Sequence, residues 1–151
     1  MNSESRACST KCCAMKLVLD SDVLLDFLLA RSGFVHEIDQ LVQNQDNWGL
    51  HLATSACVLQ NVHYIARRGG FALPDEVMQM LLERLTVIPV GNEHLGRALT
   101  FSDFEDAVLA YAAAEWGADY LITRNLKDFR KIPEVTSLTP REFIALRTAK
   151  S

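Results

Sequence analysis

The chain has 151 residues, 49% hydrophobic and 23% charged, a balance that suits one soluble globular domain and excludes a disordered or collagen-like polymer. Its 15 Lys and Arg are outnumbered by 19 Asp and Glu, a net charge of −4, so no overall positive field exists to hold nucleic acid. No apolar run approaches the roughly 20 residues that span a bilayer, and no membrane association is expected.

Residues 1–14 lack the apolar stretch of a secretory signal and read as a polar, flexible leader ahead of a single domain over residues 15–151. Met15 followed by Lys16 reads as an alternative start. Cys8, Cys12 and Cys13 lie in that leader, with no second ligand pair to complete a zinc site. The expected compartment is the cytoplasm, with Cys57 as a buried packing residue.

Lys16–Asp20 (KLVLD) is an apolar run closed by an acid, as in a buried parallel strand whose last residue emerges at the carboxyl edge of a sheet. Asp22–Leu29 places Val23 with Phe27 and Leu24 with Leu28 at helical spacing, and Val35–Val42 does the same with Val35, Ile38, Leu41 and Val42. Trp48–Ala53 is a second expected strand. Ala56–Arg68 is a helix on Val58, Leu59, Val62 and Ile65, stopped by Gly69-Gly70.

Pro74–Leu85 follows as a helix, then Thr86–Val90 as a strand that Pro89 confines to a sheet edge or strand end. Asp103–Trp116 is the strongest helix, with Phe104, Ala107, Val108 and Tyr111 in one stripe and Gly117 past its end. Asp119–Thr123 is a buried strand, and Thr139-Pro140-Arg141-Glu142 opens a last helix with a cap, a proline and a capping-box acid. This alternation predicts an α/β fold of three layers, with helices on both faces of a mainly parallel sheet.

Ligands of open parallel sheets bind beyond the carboxyl ends of the strands. The first strand delivers Asp20-Ser21-Asp22 to that edge, with Asp26 one helical turn further on, and the strand at Asp119–Thr123 delivers Thr123-Arg124-Asn125-Leu126-Lys127-Asp128. The helix between them opens Asp103-Phe104-Glu105-Asp106, whose three-residue spacing sets Asp103 and Asp106 on one face. Carboxylates converging without histidine or thiol suit a hard cation, Mg²⁺ or Mn²⁺. Such an ion activates water and neutralises a bound phosphodiester.

Local roles compete with that reading. Ser102 and Glu105 have capping-box spacing, which makes Glu105 structural. Asp22 and Asp103 each suit a first helical turn, where an acid gains about 0.3–1 kcal/mol from the helix dipole. Asp26 is placed to pair with Arg31 or to face water. Asp106, expected beyond the first three helical positions, and Asp20, closing a buried strand, have no such local explanation. His36, His51, His63 and His94 show no paired metal spacing and are expected at the surface or in packing. Arg124 and Lys127 flank the acid edge as candidate phosphate contacts.

In this order, these residues resemble the PIN domain, the fold of many metal-dependent ribonucleases including VapC-type toxins of bacterial toxin–antitoxin pairs. The likeness runs from about Met15 to Leu146. Leu19-Asp20-Ser21-Asp22-Val23-Leu24-Leu25-Asp26 is similar to that family's first strand and helix, where the pattern is usually D-[TS]-[ND]. Asp103-Phe104-Glu105-Asp106-Ala107 and the segment Gly117–Phe129 are similar to its third and fourth motifs. Haloacid-dehalogenase-type phosphatases share the opening D-x-D but want Thr or Val where Leu24 stands.

The resemblance implies that Asp20 is the first metal-binding acid and Asp106 the third-motif acid. The second acid, usually Glu on the helix after Ser55, is matched by Asn61, and the fourth by Asn125, with Asp128 three residues on. This pattern resembles a branch of the family that carries Asn at those positions. Asn keeps an oxygen for a metal but cannot act as a base.

The activity so implied is a Mg²⁺/Mn²⁺-dependent endoribonuclease, the toxin half of a toxin–antitoxin pair, with an RNA substrate, a small antitoxin and a second copy of the chain as expected partners. Asp20 and Asp106 would hold the metal, while Asp103, Asn125 and Asp128 complete the shell or orient water. Arg124 or Lys127 would meet phosphate. The alternative is a PIN-fold RNA- or protein-binding module without robust cleavage.

Overall fold

The apolar run expected over Lys16–Asp20 forms the central strand of a five-stranded sheet. A computed structural model describes residues 14–150, so the leader expectation lies outside the described residues apart from Ala14, as do Cys8, Cys12 and Cys13. In chain order the elements are β1 (Met15–Leu19), α1 (Ser21–Leu28), α2 (Val35–Gln43), β2 (Leu50–Ser55), α3 (Ala56–Arg68), α4 (Asp75–Arg84) and β3 (Thr86–Ile88). There follow α5 (Asn92–Ala98), α6 (Phe104–Trp116), β4 (Tyr120–Ile122), α7 (Leu126–Phe129), β5 (Ser137–Leu138) and α8 (Pro140–Thr148).

The strands run in the order β3-β2-β1-β4-β5, and every pairing is parallel. The chain works outward from β1 to β2 and β3, then returns past β1 to β4 and β5. Right-handed crossovers therefore put α1 to α4 on one face and α5 to α7 on the other. The packing agrees: α1 lies on α2 and α3, α8 lies on α2, and α6 lies on α5 and α7. The winding reverses between β1 and β4, which opens a crevice at their carboxyl ends.

Leu17, Val18 and Leu19 of β1 and Leu121 and Ile122 of β4 are almost completely buried, as strands covered on both faces require. Beneath the helices lie Leu25, Ile38, Leu41, Phe129 and Phe143, each contributing roughly 1.5–3 kcal/mol through burial. α6 differs from the single stripe expected of it. Ala107 through Ala113 are all buried, while Phe104 is exposed. The alanines let α6 sit close between the sheet and its neighbours, so this helix is apolar on every side.

Several boundaries move. β2 begins at Leu50 rather than Trp48, because Gly49 turns the chain with φ +62°. α6 begins at Phe104 with Asp103 as its N-cap residue, so the Ser102–Glu105 capping box does not form. Ser102 Oγ instead donates to Asp103 Oδ2 at 3.4 Å, and Glu105 stays exposed. Asp106 becomes the third helical residue, not one beyond it. Cys57 is exposed, correcting its expected burial, because α3 turns Val58, Leu59, Val62 and Ala66 to the core and leaves Cys57 on the outer face. The cap at α8 forms as read, with Thr139 Oγ1 accepting from Glu142 N and Thr139 N donating to Glu142 Oε2.

Among the described residues no helix is long and apolar enough to cross a membrane. The described histidines with polar partners serve packing: His51 meets Thr86 Oγ1 at 2.6 Å across β2 and β3, while His94 accepts from Gly91 N and pairs with Glu115.

Gly117 ends α6 in the left-handed conformation, with φ +83°. A Cβ there would meet only Lys16 Nζ, at 3.9 Å, so backbone strain is the whole penalty. Gly117→Ala is expected to lower stability by about 1–2 kcal/mol, read from urea unfolding.

Candidate active site

Asp20 stands where β1 ends and α1 begins. Its backbone N–H donates to Ile122 O at 3.0 Å, which continues the β1–β4 pairing, and its side chain caps the helix. One carboxylate oxygen accepts from Ser21 N at 2.6 Å, and the other accepts from Thr123 Oγ1 at 2.8 Å. The residue is 4% exposed. Burial raises its pKa above the ordinary carboxylate range, against the opposing pull of the Thr123 and Ser21 donors.

Asp106 reaches the same crevice from α6. Burial first, and the charge of Asp20 second, push its pKa up to about 7. Two carboxylates thus share one partly desolvated space, and neither carries its charge cheaply. Asn125 lies between acids: its Nδ2 donates to Asp106 Oδ2 at 2.9 Å and to Asp128 Oδ2 at 2.9 Å. Lys131 Nζ holds the other oxygen of Asp128 at 2.8 Å. That hydrogen bond, helped by Asn125, keeps Asp128 below its ordinary pKa, while the same contact raises Lys131. Thr123 Oγ1 also accepts from Asn125 N at 2.9 Å, so one hydroxyl links Asp20 to the backbone of the residue that holds Asp106.

A cleft of about 380 Å³ opens over this floor, and Asp20, Asp106, Ser55, Asn61, Tyr64 and Glu105 are among its lining residues. The sequence-expected residues divide as follows. Asp20, Asp106 and Asn61 face one cleft, and Asn125 ties Asp128 to Asp106. Asp103 is not part of that lining; it adjoins Asp106, Asp128 and Lys131 in a small hollow beside it. Lys127 is exposed on α7. Arg124 is committed elsewhere, with Nε 2.6 Å from Asp26 Oδ2 and Nη2 3.2 Å from Asp26 Oδ1. Asp26 is fully buried and also meets Arg31 Nη1 at 3.4 Å, so the expected Arg31 pair exists but is the longer of two.

Thr123 and Lys131 join the site without being among its sequence-expected residues. A threonine closing an apolar strand at the edge where Asp20 emerges was the available signal for the first. Lys131 is three residues from Asp128, a helical-neighbour spacing that marked it as a partner. Among the described residues, no three His, Cys, Asp or Glu side chains gather closely enough to hold a metal by themselves. The cleft brings together the buried and half-buried carboxylates of Asp20 and Asp106, with the exposed Glu105 also in its lining.

The raised pKa of Asp106 has a stability consequence. Its folded value, about 7, exceeds its ordinary 3.8, so the folded state holds the proton more tightly. Its contribution is fully present below pH 3.8 and is lost as pH rises through about 7. In chelator, the wild type should therefore lose stability between pH 5 and pH 8 relative to Asp106→Asn. Subtracting the two urea-unfolding profiles removes the histidines, which titrate in the same window. A flat difference would contradict the raised pKa of Asp106.

Comparison with known proteins gives a family and a fold. A family model described as the PIN domain matches residues 16–127. No curated protein gives a match. Among solved structures, a toxin–antitoxin complex from Klebsiella pneumoniae is similar at 23% identity and a TM-score of 0.61, over 82% of this chain and 97% of that one. VapBC2 from Rickettsia felis, bound to a DNA fragment from its promoter, is similar at 18% identity and a TM-score of 0.57, over 83% and 98%. VapBC-1 from nontypeable Haemophilus influenzae is similar at 17% identity and a TM-score of 0.57, over 84% and 99%. At these identities the likeness is one of fold. The family match itself runs from β1 into α7, across both strand ends that frame the crevice, and on that extent the chain belongs to the PIN domain family.

Proposed function

We propose that the protein is a divalent-metal-dependent endoribonuclease acting in the cytoplasm as the toxin component of a toxin–antitoxin pair. The observation that carries this reading is the Asp20–Asp106 pair, two carboxylates whose charges oppose each other at the crevice where the winding reverses. A divalent cation relieves that opposition. Mg²⁺ keeps several waters and binds through one or two carboxylates plus substrate phosphate, so a two-carboxylate floor suits it without a closed protein cage. Membership in the PIN domain family adds support, as do structural relatives that are toxin–antitoxin complexes. A small antitoxin and a second copy of the chain are the protein partners that accompany this reading.

In it, Asp20 and Asp106 hold Mg²⁺ or Mn²⁺. When bound, the ion supplies a Lewis acid for the developing phosphoryl charge and activates a water. Thr123 fixes the rotamer of Asp20, and Asn125 fixes Asp106 through its Nδ2. Asp128, steadied by Lys131, lies with Asp103 at the side of Asp106 and orients solvent there. Asn61 offers a neutral oxygen where the family has its second acid. Lys127, exposed beside the crevice, meets phosphate. Arg124 is bound to Asp26 and is the weaker candidate for that contact.

A second reading, a PIN-fold binding module for RNA or protein, is favoured by one observation. Asn61 and Asn125 stand where the family's pattern has acids. Cleavage of a mixed structured RNA pool across a Mn²⁺ titration, with EDTA and Asp20→Asn as controls, separates the two. The nuclease reading expects metal-dependent cutting that Asp20→Asn abolishes. RNA binding without cutting at any Mn²⁺ concentration overturns it.

Metal should also stabilise the fold. Mn²⁺ is expected to raise the Tm of wild type and to leave Asp20→Asn/Asp106→Asn nearly unmoved. Asn125→Asp separates two effects of one residue. It removes the donor between Asp106 and Asp128 and adds a third negative charge, so the metal-free protein should melt lower. The Mn²⁺-induced rise in Tm should be larger than in wild type. A variant with both quantities unchanged would show that Asn125 does not mediate between these acids.

A further inference from the structure

We propose that Asp26 and Arg124 form a positioning pair that sets the distance between the two sides of the acid site, although neither faces the cleft. The inference rests on reading Asp20, Asp106 and Asn125 as a metal site, and it adds the device that keeps them in register.

Three successive residues after β4 each engage a different acid. Thr123 Oγ1 donates to Asp20, Arg124 donates to Asp26, and Asn125 Nδ2 donates to Asp106 and Asp128. Asp20 caps α1 and Asp26 lies six residues along it, roughly 9 Å at the helical rise. The segment therefore grips α1 at two separated points. One hydrogen bond at Asp20 would leave the segment free to pivot about that bond; a second anchor a turn and a half away removes the pivot. Asn125, next in the chain, then presents its amide to Asp106 from a fixed place.

Arg124 is built for this task rather than for solvent. Its planar fork meets Asp26 with two nitrogens, at 2.6 and 3.2 Å, and fixes orientation as well as charge. Phe34 lies over the guanidinium, 4.2 Å from its carbon to the ring centroid, and closes the outer side. Asp26 is completely buried. A fully buried carboxylate is costly unless paired, and Arg31 alone, at 3.4 Å, supplies only the longer contact.

Arg124→Met is the informative variant, because Arg31 still neutralises Asp26 and no buried charge is left alone. Asp26→Leu/Arg124→Met is the second, removing both charges together, a replacement that is often neutral or stabilising. Arg124→Lys keeps the charge and loses the fork. Each is read in three ways: the side-chain amide resonances of Asn125 by NMR without metal, Mn²⁺ affinity from the Tm shift, and kcat and KM for RNA.

In the two Met variants the Asn125 amide resonances should move toward free-amide positions while core amides stay in place. Mn²⁺ affinity or kcat should fall about 10–100-fold, as for other residues that orient ligands at one remove, with KM little changed. Arg124→Lys should fall between. Wild-type Asn125 resonances and wild-type Mn²⁺ affinity in both Met variants overturn the positioning role and leave the nuclease reading standing, as does Arg124→Lys identical to wild type. A wild-type protein that neither binds Mn²⁺ nor cuts RNA overturns the nuclease reading, and the Asn125 resonances still decide whether the pair positions that residue.

Discussion

A carboxylate at the end of a buried strand is the constraint around which this fold is arranged. Asp20 emerges from three nearly inaccessible residues, Leu17, Val18 and Leu19, and has almost no contact with solvent itself. Left unpaired, such a group favours its neutral form or destabilises the fold. The chain answers locally with Ser21 N and from a distance with Thr123 Oγ1, 103 residues away. The second donor exists only because β4 pairs directly with β1, so sheet order and side-chain satisfaction are one requirement. Burial still wins, and the Asp20 pKa remains raised.

That residual strain is asymmetric around the crevice. On the side of α7, Asp128 has Lys131 and Asn125 and is comfortable as an anion. On the cleft side, Asp106 has only the Asn125 amide against burial and the nearby charge of Asp20. The charge that is hard to hold is therefore concentrated at the two groups that line the cleft together. In the reading proposed above, a cation would meet carboxylates already positioned and already destabilised, which favours uptake without a prior conformational search.

Much of the scaffold was legible because its signals are local. α3 runs over Ala56–Arg68 as its apolar spacing and Gly69-Gly70 indicate, and the Thr139–Glu142 cap needs only four consecutive residues. Pro89 correctly sends β3 to an edge, since it follows the last paired residue of an outer strand. The short pieces α5, α7 and β5 were not legible: two to seven residues carry too little periodicity, and β5 exists through its pairing with β4. Cys57 and Glu105 failed for a related reason. Their burial and bonding depend on helix phase, and one residue's shift in the start of α6 dissolves a capping box whose spacing is perfect on paper. In the site, Asp20 and Asp106 are marked by residue type and line one cleft, yet the engagement of Arg124 by Asp26 spans 98 positions and leaves no local mark.

The asparagines show how composition and geometry trade against each other. An acid at position 125 would face Asp106 and Asp128 with oxygen against oxygen, in a space where Asp20 already raises Asp106. The amide turns both approaches into hydrogen bonds, at 2.9 Å each, without adding charge. Asn61, exposed on α3, likewise brings polarity to the cleft without a further negative charge. Asn125 thereby eases the metal-free fold, and in the proposed metal-bound state both amides would weaken the pull on a cation, because affinity at hard-ion sites follows the number of charged ligands. With a net charge of −4, the chain has no excess of positive charge to offset a polyanion's repulsion. In the metal-bound state proposed above, two carboxylates rather than four would keep that repulsion modest while still holding one divalent ion.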